Sequence, residues 1–453
     1  TNLACFMWLI ILLLLSVGFI ILSTSVLKWH PFLSLVLAAL GFGVLSGKMS
    51  LTEVVNAVNS GFGNTIGYIG IVILAGSIIG KFLEMSGGAF KLASGALKVV
   101  GKKNIPLAIS FVGYVVSIPV FCDSAFIVLS PLIKAISRKL KISLTMLAIA
   151  LSLGLFVTHS LIPPTPGPVA AAGILNADLG MVILYGLPVS LAGLLTGWLF
   201  AVKVASRYTI NNDGKEEVKE IEFDETNSPS LLKSLLPIFI PIILIVLRSI
   251  SALPSQPFGD GKLLQIIDFT GQPAVALLIG VGLSFLLPAK LTKEMLSTTG
   301  WLGKGVIAAA GIIIVTGSGG AFGKVLQASG IAEVVQNNLS GAQSLGIWLP
   351  VIIAASLKIA QGSSTVAIIT TASLMAPLVP SLGLDSPAAR ALVVTAIGAG
   401  SIIASHANDS YFWVVTQMTG MNVNQGYRLQ TIGTLVMGLI SALTVWLISL
   451  WLL

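Results

Sequence analysis

The side chains in this sequence that could exchange a proton or hold an acid are few, and they cluster in four short stretches. "PVFCDS" (119–124) carries Asp123 and Ser124. "THSLIPPTPGPVAAAG" (158–173) carries Thr158, His159 and Thr165 among four prolines and two glycines. "AQGSST" (360–365) supplies Gly362, Ser363, Ser364 and Thr365, with Lys358 just ahead of it. "SHANDSYFW" (405–413) adds His406, Asn408 and Asp409. Carboxylates and imidazoles can carry a coupling proton. Hydroxyls and the free N–H groups of a helix start can hold a carboxylate.

Each group also has a plainer reading. Asp123 is a coupling carboxylate or hydroxyl ligand if it lies deep in a bilayer, where a charge costs about 2.5–3.5 kcal/mol on insertion scales. Otherwise its tip lies shallow, in water. Ser363, Ser364 and Thr365 suit a substrate carboxylate, or merely cap a helix. His159 and His406 are two of only three histidines. They are proton or substrate groups, or hydrogen-bonded packing residues. Lys358 is a counter-charge for a substrate carboxylate or a buried aspartate, or it snorkels to the interface. Asp409 joins Asp123 and His159 as a coupling candidate. His30 and Glu84 read as interfacial, and Lys81 and Lys324 as helix-end residues. The aromatic run Tyr411 to Trp413 reads as packing. No HExxH and no Cys/His cluster is present, so neither a metal nor another cofactor is expected.

The elements that position these groups follow from composition. Of 453 residues, 55% are hydrophobic and 9% charged, and mean hydropathy is +0.98. A soluble domain carries about a quarter charged residues. Repeated apolar runs of about 20 residues make this an all-α polytopic membrane protein. The net charge of +8 fits basic cytoplasmic loops and implies no nucleic acid. Cys5 and Cys122 sit in apolar segments, so no disulfide is expected. The first apolar run lacks a basic n-region and a cleavage site and reads as a true span. The chain does not begin with Met, which suggests a trimmed start.

The two halves resemble each other. "GKFLEMSG" (80–87) and "GKVLQASG" (323–330) are offset by 243, and "THS" (158–160) and "SHA" (405–407) by 247. A shared order at near-constant offset implies an internal duplication. It divides the chain into a first repeat (1–202), a hydrophilic cytoplasmic linker (203–230) and a second repeat (231–453). About ten spans are expected, at 3–22, 31–47, 62–84, 143–176 and 180–202, then 231–250, 272–288, 303–326, 388–419 and 430–453. The spans 143–176 and 388–419 are interrupted at their polar stretches. Segments 105–137 and 347–380 each have two apolar arms of roughly 14 residues, about 21 Å at 1.5 Å per residue. That is short of the ~30 Å hydrocarbon core, so both read as re-entrant hairpins. The first is flanked by Lys98, Lys102, Lys103, Lys134, Arg138, Lys139 and Lys141, a cytoplasmic signature. The flanks of the second hold Arg390 alone and read as external. The repeats are then inverted, with the N-terminus outside. Twelve spans in a parallel repeat is the rival count. Inverted repeats with broken helices form binding sites near the bilayer midplane, where irregular backbone lines a wet cavity.

"THSLIPPTPGPVAA", "GILNADLG", "QGSSTVAIIT", "GSGGAFGKVLQASG" and "SHANDSYFW" together resemble the gluconate permease family, the gluconate:proton symporters of the ion transporter superfamily. The resemblance covers nearly the whole chain. It implies import of a small hydroxy-carboxylate by proton symport, with elevator-like movement of a homodimer in a bacterial inner membrane. Gluconate, another sugar acid, glycerate and D-serine are the substrates it suggests. The chain departs from the family's usual PPHPGP at Thr165, and from its usual glutamate near the first tip at "CDSAF". Both departures fall at the expected site and keep a smaller acid such as glycerate open. Sodium coupling is the nearest alternative. An intramembrane enzyme has less support, because single-site catalysis needs no duplication.

Overall fold

The computed structural model describes residues 2–100, 104–118, 120–210, 228–251, 258, 261–330, 345–407 and 409–452. Most of the expected linker, 211–227, lies outside these, as do Lys102, Lys103 and the candidate Asn408. Among the described residues there are helices and no strands. The helices used below are α1 Asn2–Ile21, α2 Pro31–Ser46, α3 Leu51–Met85, α4 Gly88–Val100, α5 Ile105–Val116, α6 Cys122–Leu140, α7 Leu144–Leu161, α8 Pro166–Leu175 and α9 Leu179–Lys203. In the second half they are α10 Leu231–Ser251, α11 Lys262–Thr270, α12 Pro273–Ser284, α13 Trp301–Ala328, α14 Trp348–Gln361, α15 Ser364–Met375, α16 Pro387–Ile402, α17 Ser410–Thr419 and α18 Ile432–Leu452.

Local chemistry sets the helix starts. Ser50 and Glu53 form a capping box, so α3 begins well before the apolar run expected from residue 62. Ser143, Asp178 and Ser386 cap α7, α9 and α16 by accepting from the N3 amides. Six described helices, α7 and α8 counted together, are long and apolar enough to cross a membrane, or up to eight if each bent pair is one span. The count falls below ten because α2 and α16 have only 16 residues each, α12 has 12, and α3 is bent by 46° and counts only as a pair.

At the centre, 94% of an 18-residue window of Leu144–Leu175 is buried, against 28% for Met7–Thr24 at the edge. Both expected interruptions are present. The chain leaves the helix between α7 and α8 at residues 162–165, and between α16 and α17 at 403–407 and 409. Helix α5 meets α6, and α14 meets α15, at short non-helical tips. The arms α5, α14 and α15 have 12, 14 and 12 residues, whereas α6 runs for 19, to Leu140.

Bare backbone brings these pieces together. A Cβ on Gly154 of α7 would stand 2.2 Å from the Ser110 carbonyl oxygen of α5. One on Gly400 of α16 would stand 2.4 Å from the Val351 carbonyl oxygen of α14. Helices α3 and α13 close on each other in the same way, at Gly61 and Gly320.

Candidate functional site

The second tip and second break are tied together by charge. Lys358, near the end of α14, forms a buried ion pair with Asp409, just before α17; their side chains are 0% and 6% exposed. The Lys358 ammonium also donates to the Gly362 carbonyl at 2.6 Å. Asp409 accepts from the Ser405 hydroxyl (2.5 Å) and from the Tyr411 amide (3.0 Å), which caps α17. Lys358 Nζ lies 5.5 Å from the centre of the Phe156 ring, which stacks on Tyr411 at 5.2 Å. Tyr411 in turn donates to the Ser152 carbonyl of α7 at 3.0 Å. Lys358 therefore does not snorkel: of the two counter-charge roles, the structure gives it the buried aspartate.

The hydroxyls of the second tip are largely engaged. Ser363 accepts from the Val366 amide at 3.3 Å and so caps α15. Ser364 donates its proton to the Ser401 carbonyl at 3.0 Å. Thr365 is half-buried beside them. The two histidines, matched in sequence, differ in surroundings. His406 is half-buried, with Nε2 3.0 Å from the Ile359 carbonyl of α14. His159 is buried, and its Nδ1 has no hydrogen-bond partner among the described residues.

The first tip and first break are open by comparison. Phe121 and Thr165, the cap residues of α6 and α8, make no side-chain cap bond. The Thr165 hydroxyl turns back to the Ile162 carbonyl at 2.5 Å, and Thr158 reaches Gly154 at 3.4 Å. Pro166 and Pro168 have no N–H, which leaves Gly167 to supply the free amide in the first turn of α8. A cavity of about 10 Å³ lies here, lined by Ser77, Phe121, His159, Pro164, Thr165 and Pro166. That is room for about one water. Ser77 Oγ, from α3, is also buried without a partner among the described residues. The same holds for Asp123 Oδ1, in the first turn of α6, where Ser124 is half-buried beside it. Helix α6 packs on α17 through Phe126 and Tyr411, rings 6.2 Å apart and perpendicular. The two broken regions thus share one core.

Sequence reasoning found the residues of both tips and both breaks. It missed Ser77, which lies within an apolar run, and, having offered Lys358 a buried aspartate as one partner, it did not single out Asp409, 51 positions away. The signal for the second was the rarity of buried charge: a lysine and an aspartate in apolar segments need each other.

Polar groups buried at breaks in the most enclosed helices of an apolar, all-helical chain define a membrane transport protein. The chain belongs to the GntP family of permeases, whose family model matches residues 8–451. It is 34% identical over 448 residues to the gluconate permease of Pseudomonas aeruginosa, covering 96% of each chain. It is 32% identical over 444 residues to the D-serine transporter DsdX of Escherichia coli K12, covering 98% of each. The crystal structure of the YdaH transporter from Alcanivorax borkumensis has the same fold. Its TM-score is 0.68 at 14% identity, covering 93% of this chain and 99% of that one. The family is one of permeases, not enzymes.

Proposed function

We propose that the protein imports a small hydroxy-carboxylate, such as gluconate, another sugar acid or glycerate, by proton symport across the bacterial inner membrane. One observation carries this reading. At the first tip and break, two uncapped helix starts accompany buried, unpartnered groups on Asp123, His159 and Ser77. A buried polar group without a partner is costly. A ligand that brings a carboxylate, hydroxyls and a proton would satisfy all of them. The carboxylate goes to the helix starts, which favour anions. The hydroxyls meet His159 and Ser77, and the proton resides on Asp123.

The second tip and break, closed by Lys358 and Asp409, serve as the closed counterpart that moves with the first. The matched order of arms and breaks, and the matched glycines Gly154 and Gly400, support two repeats. We infer that the repeats are inverted, that their hairpins re-enter from opposite faces, and that the broken helices move against α3 and α13 in elevator fashion. The protein then works as a homodimer with its N-terminus outside.

Purified protein in proteoliposomes should accumulate labelled D-gluconate or D-glycerate under an inward proton gradient at constant sodium. A sodium gradient at constant pH should drive nothing. Accumulation only under the sodium gradient overturns proton coupling. A second reading rests on Asp123: an unpartnered buried carboxylate oxygen would also suit an ammonium, and D-serine carries one. Uptake of D-serine with no uptake of either hydroxy acid would establish that reading instead.

A further inference from the structure

A second cavity, away from the polar tips, has no role in the reading above. It measures about 450 Å³, within the usual range for small-molecule sites. One wall comes from α3 and α13, through Asn64, Thr65, Lys324 and Gln327. The other comes from the end of α8 at Asn176 and the start of α16 at Arg390. It therefore lies between the glycine-clamped pair α3 and α13 and the broken-helix group.

Its charge is one-sided. Lys324 and Arg390 line it, and no acidic residue among the described residues does. The Lys324 ammonium donates to the neutral Gln327 side chain at 3.2 Å. Arg390 donates through Nε to the Asp385 carbonyl (2.9 Å) and through Nη1 to the Leu175 carbonyl (2.7 Å). Those backbone bonds fix the guanidinium, and three of its five N–H groups remain. Neither cation pairs with a carboxylate among the described residues. Two positive charges without a described carboxylate partner in one cleft concentrate anions. The neutral lining groups, Asn64, Thr65, Asn176 and Gln327, match hydroxyls.

We propose that this cavity is a capture site for the transported acid. Lys324 and Arg390 hold the carboxylate of a small hydroxy acid before it reaches the tips. The site rests on the hydroxy-acid reading for its ligand, but its preference for anions stands apart from that reading.

The test separates the two. Asn64→Cys is made with Cys5→Ser; Cys122, 2% exposed, is left in place, and the same chain without the new cysteine gives the background. Its modification by a sulfonate-bearing and an ammonium-bearing methanethiosulfonate is compared, each rate normalised to a free thiol. The anionic reagent should react about tenfold faster or more. Lys324→Gln with Arg390→Gln should erase that preference, and Lys324→Arg with Arg390→Lys should keep it. D-Gluconate should slow the reaction in the chain that retains both cations. Equal rates, or a preference that survives loss of both cations, overturn the site. Absence of protection in a protein whose proteoliposomes take up D-gluconate overturns capture of the transported acid. If the proteoliposomes take up D-glycerate in place of D-gluconate, protection is read with D-glycerate; if they take up neither, it is the hydroxy-acid reading that fails, and the ratio of the two reagents still decides the anion site.

Discussion

Lys358 and Asp409, 51 positions apart, meet as a buried ion pair that joins the second tip to the second break. The contact closes a hairpin arm onto the start of α17, and the Gly362 carbonyl and the Ser405 hydroxyl complete it. Breaking such a pair leaves one charge buried alone, which costs about 3–5 kcal/mol. Lys358→Met or Asp409→Asn alone should lower the unfolding temperature sharply in detergent. Lys358→Met combined with Asp409→Asn should regain most of it. If the pair is structural, the double variant still accumulates substrate under a proton gradient. Loss of accumulation at restored stability would return Asp409 to the coupling role.

The two histidines should separate in kinetics. His159 is buried with a free ring nitrogen beside two uncapped helix starts, whereas His406 is bonded to a backbone carbonyl. His159→Ala should raise the KM for D-gluconate roughly fivefold, the worth of a hydrogen bond to a substrate hydroxyl, about 1 kcal/mol. His406→Ala should leave KM within about threefold and act on stability. Ser364→Ala should follow His406, because its proton goes to Ser401. A larger KM effect at Ser364 than at His159 would move the carboxylate to the second tip.

Asp123 is the residue assigned to the coupling proton. Asp123→Asn keeps the shape and removes the titration. It should abolish accumulation driven by an inward proton gradient yet permit exchange of internal for external substrate, which moves no net proton. The sign is direct: uptake by the unmutated protein rises as external pH falls at fixed internal pH, and the variant's exchange does not. Full accumulation by Asp123→Asn would shift the coupling to His159.

Much of this was legible in sequence. The first break was, because prolines at 163, 164, 166 and 168 leave no donors to continue a helix, and the second was through its polar stretch "SHANDS", matched to the first at an offset of 247. The polar tips between α5 and α6 and between α14 and α15 were, because polar clusters stood between apolar arms, although α6 runs longer than the arm expected of it. The early start of α3 was present as the Ser50–Glu53 box, though "SLTE" reads equally as a repeat marker. The difference between the two halves was not legible. "PVFCDS" and "AQGSST" look equally able to hold an anion, and only three dimensions reveal that Ser363 and Asp409 cap their own helices while Phe121 and Thr165 do not. The anion cavity was also hidden, since Lys324 and Arg390 sit at ordinary helix-end positions and meet only through folding.

Topology is testable directly. Basic residues flank the first hairpin, and the second is flanked by residues such as Asp385 and Arg390. Arg138→Cys and Asp385→Cys are both placed at exposed positions. A membrane-impermeant thiol reagent should reach the first only from the cytoplasm and the second only from outside. Labelling of both from one face would remove the inverted repeat.

The last prediction concerns the glycines that fasten each hairpin arm to its broken helix. A Cβ at Gly154 would fall 2.2 Å from the Ser110 carbonyl oxygen, and one at Gly400 2.4 Å from that of Val351. Both obstacles are backbone, which cannot rotate away as a side chain does. Gly154→Ala and Gly400→Ala should each cost about 1–3 kcal/mol by overpacking, read as a lower unfolding temperature. Gly63 and Gly67 of α3 supply the control. Nothing lies within 4 Å of a Cβ at either, so alanine there should be neutral or stabilising by up to about 1 kcal/mol through helix propensity. If the hairpins slide as units with α7 and α16, Gly154→Ala and Gly400→Ala should also slow exchange, because the arms then part from the helices they travel with. Exchange at the unmutated rate in chains destabilised as expected would show that the arms need not stay fastened during transport.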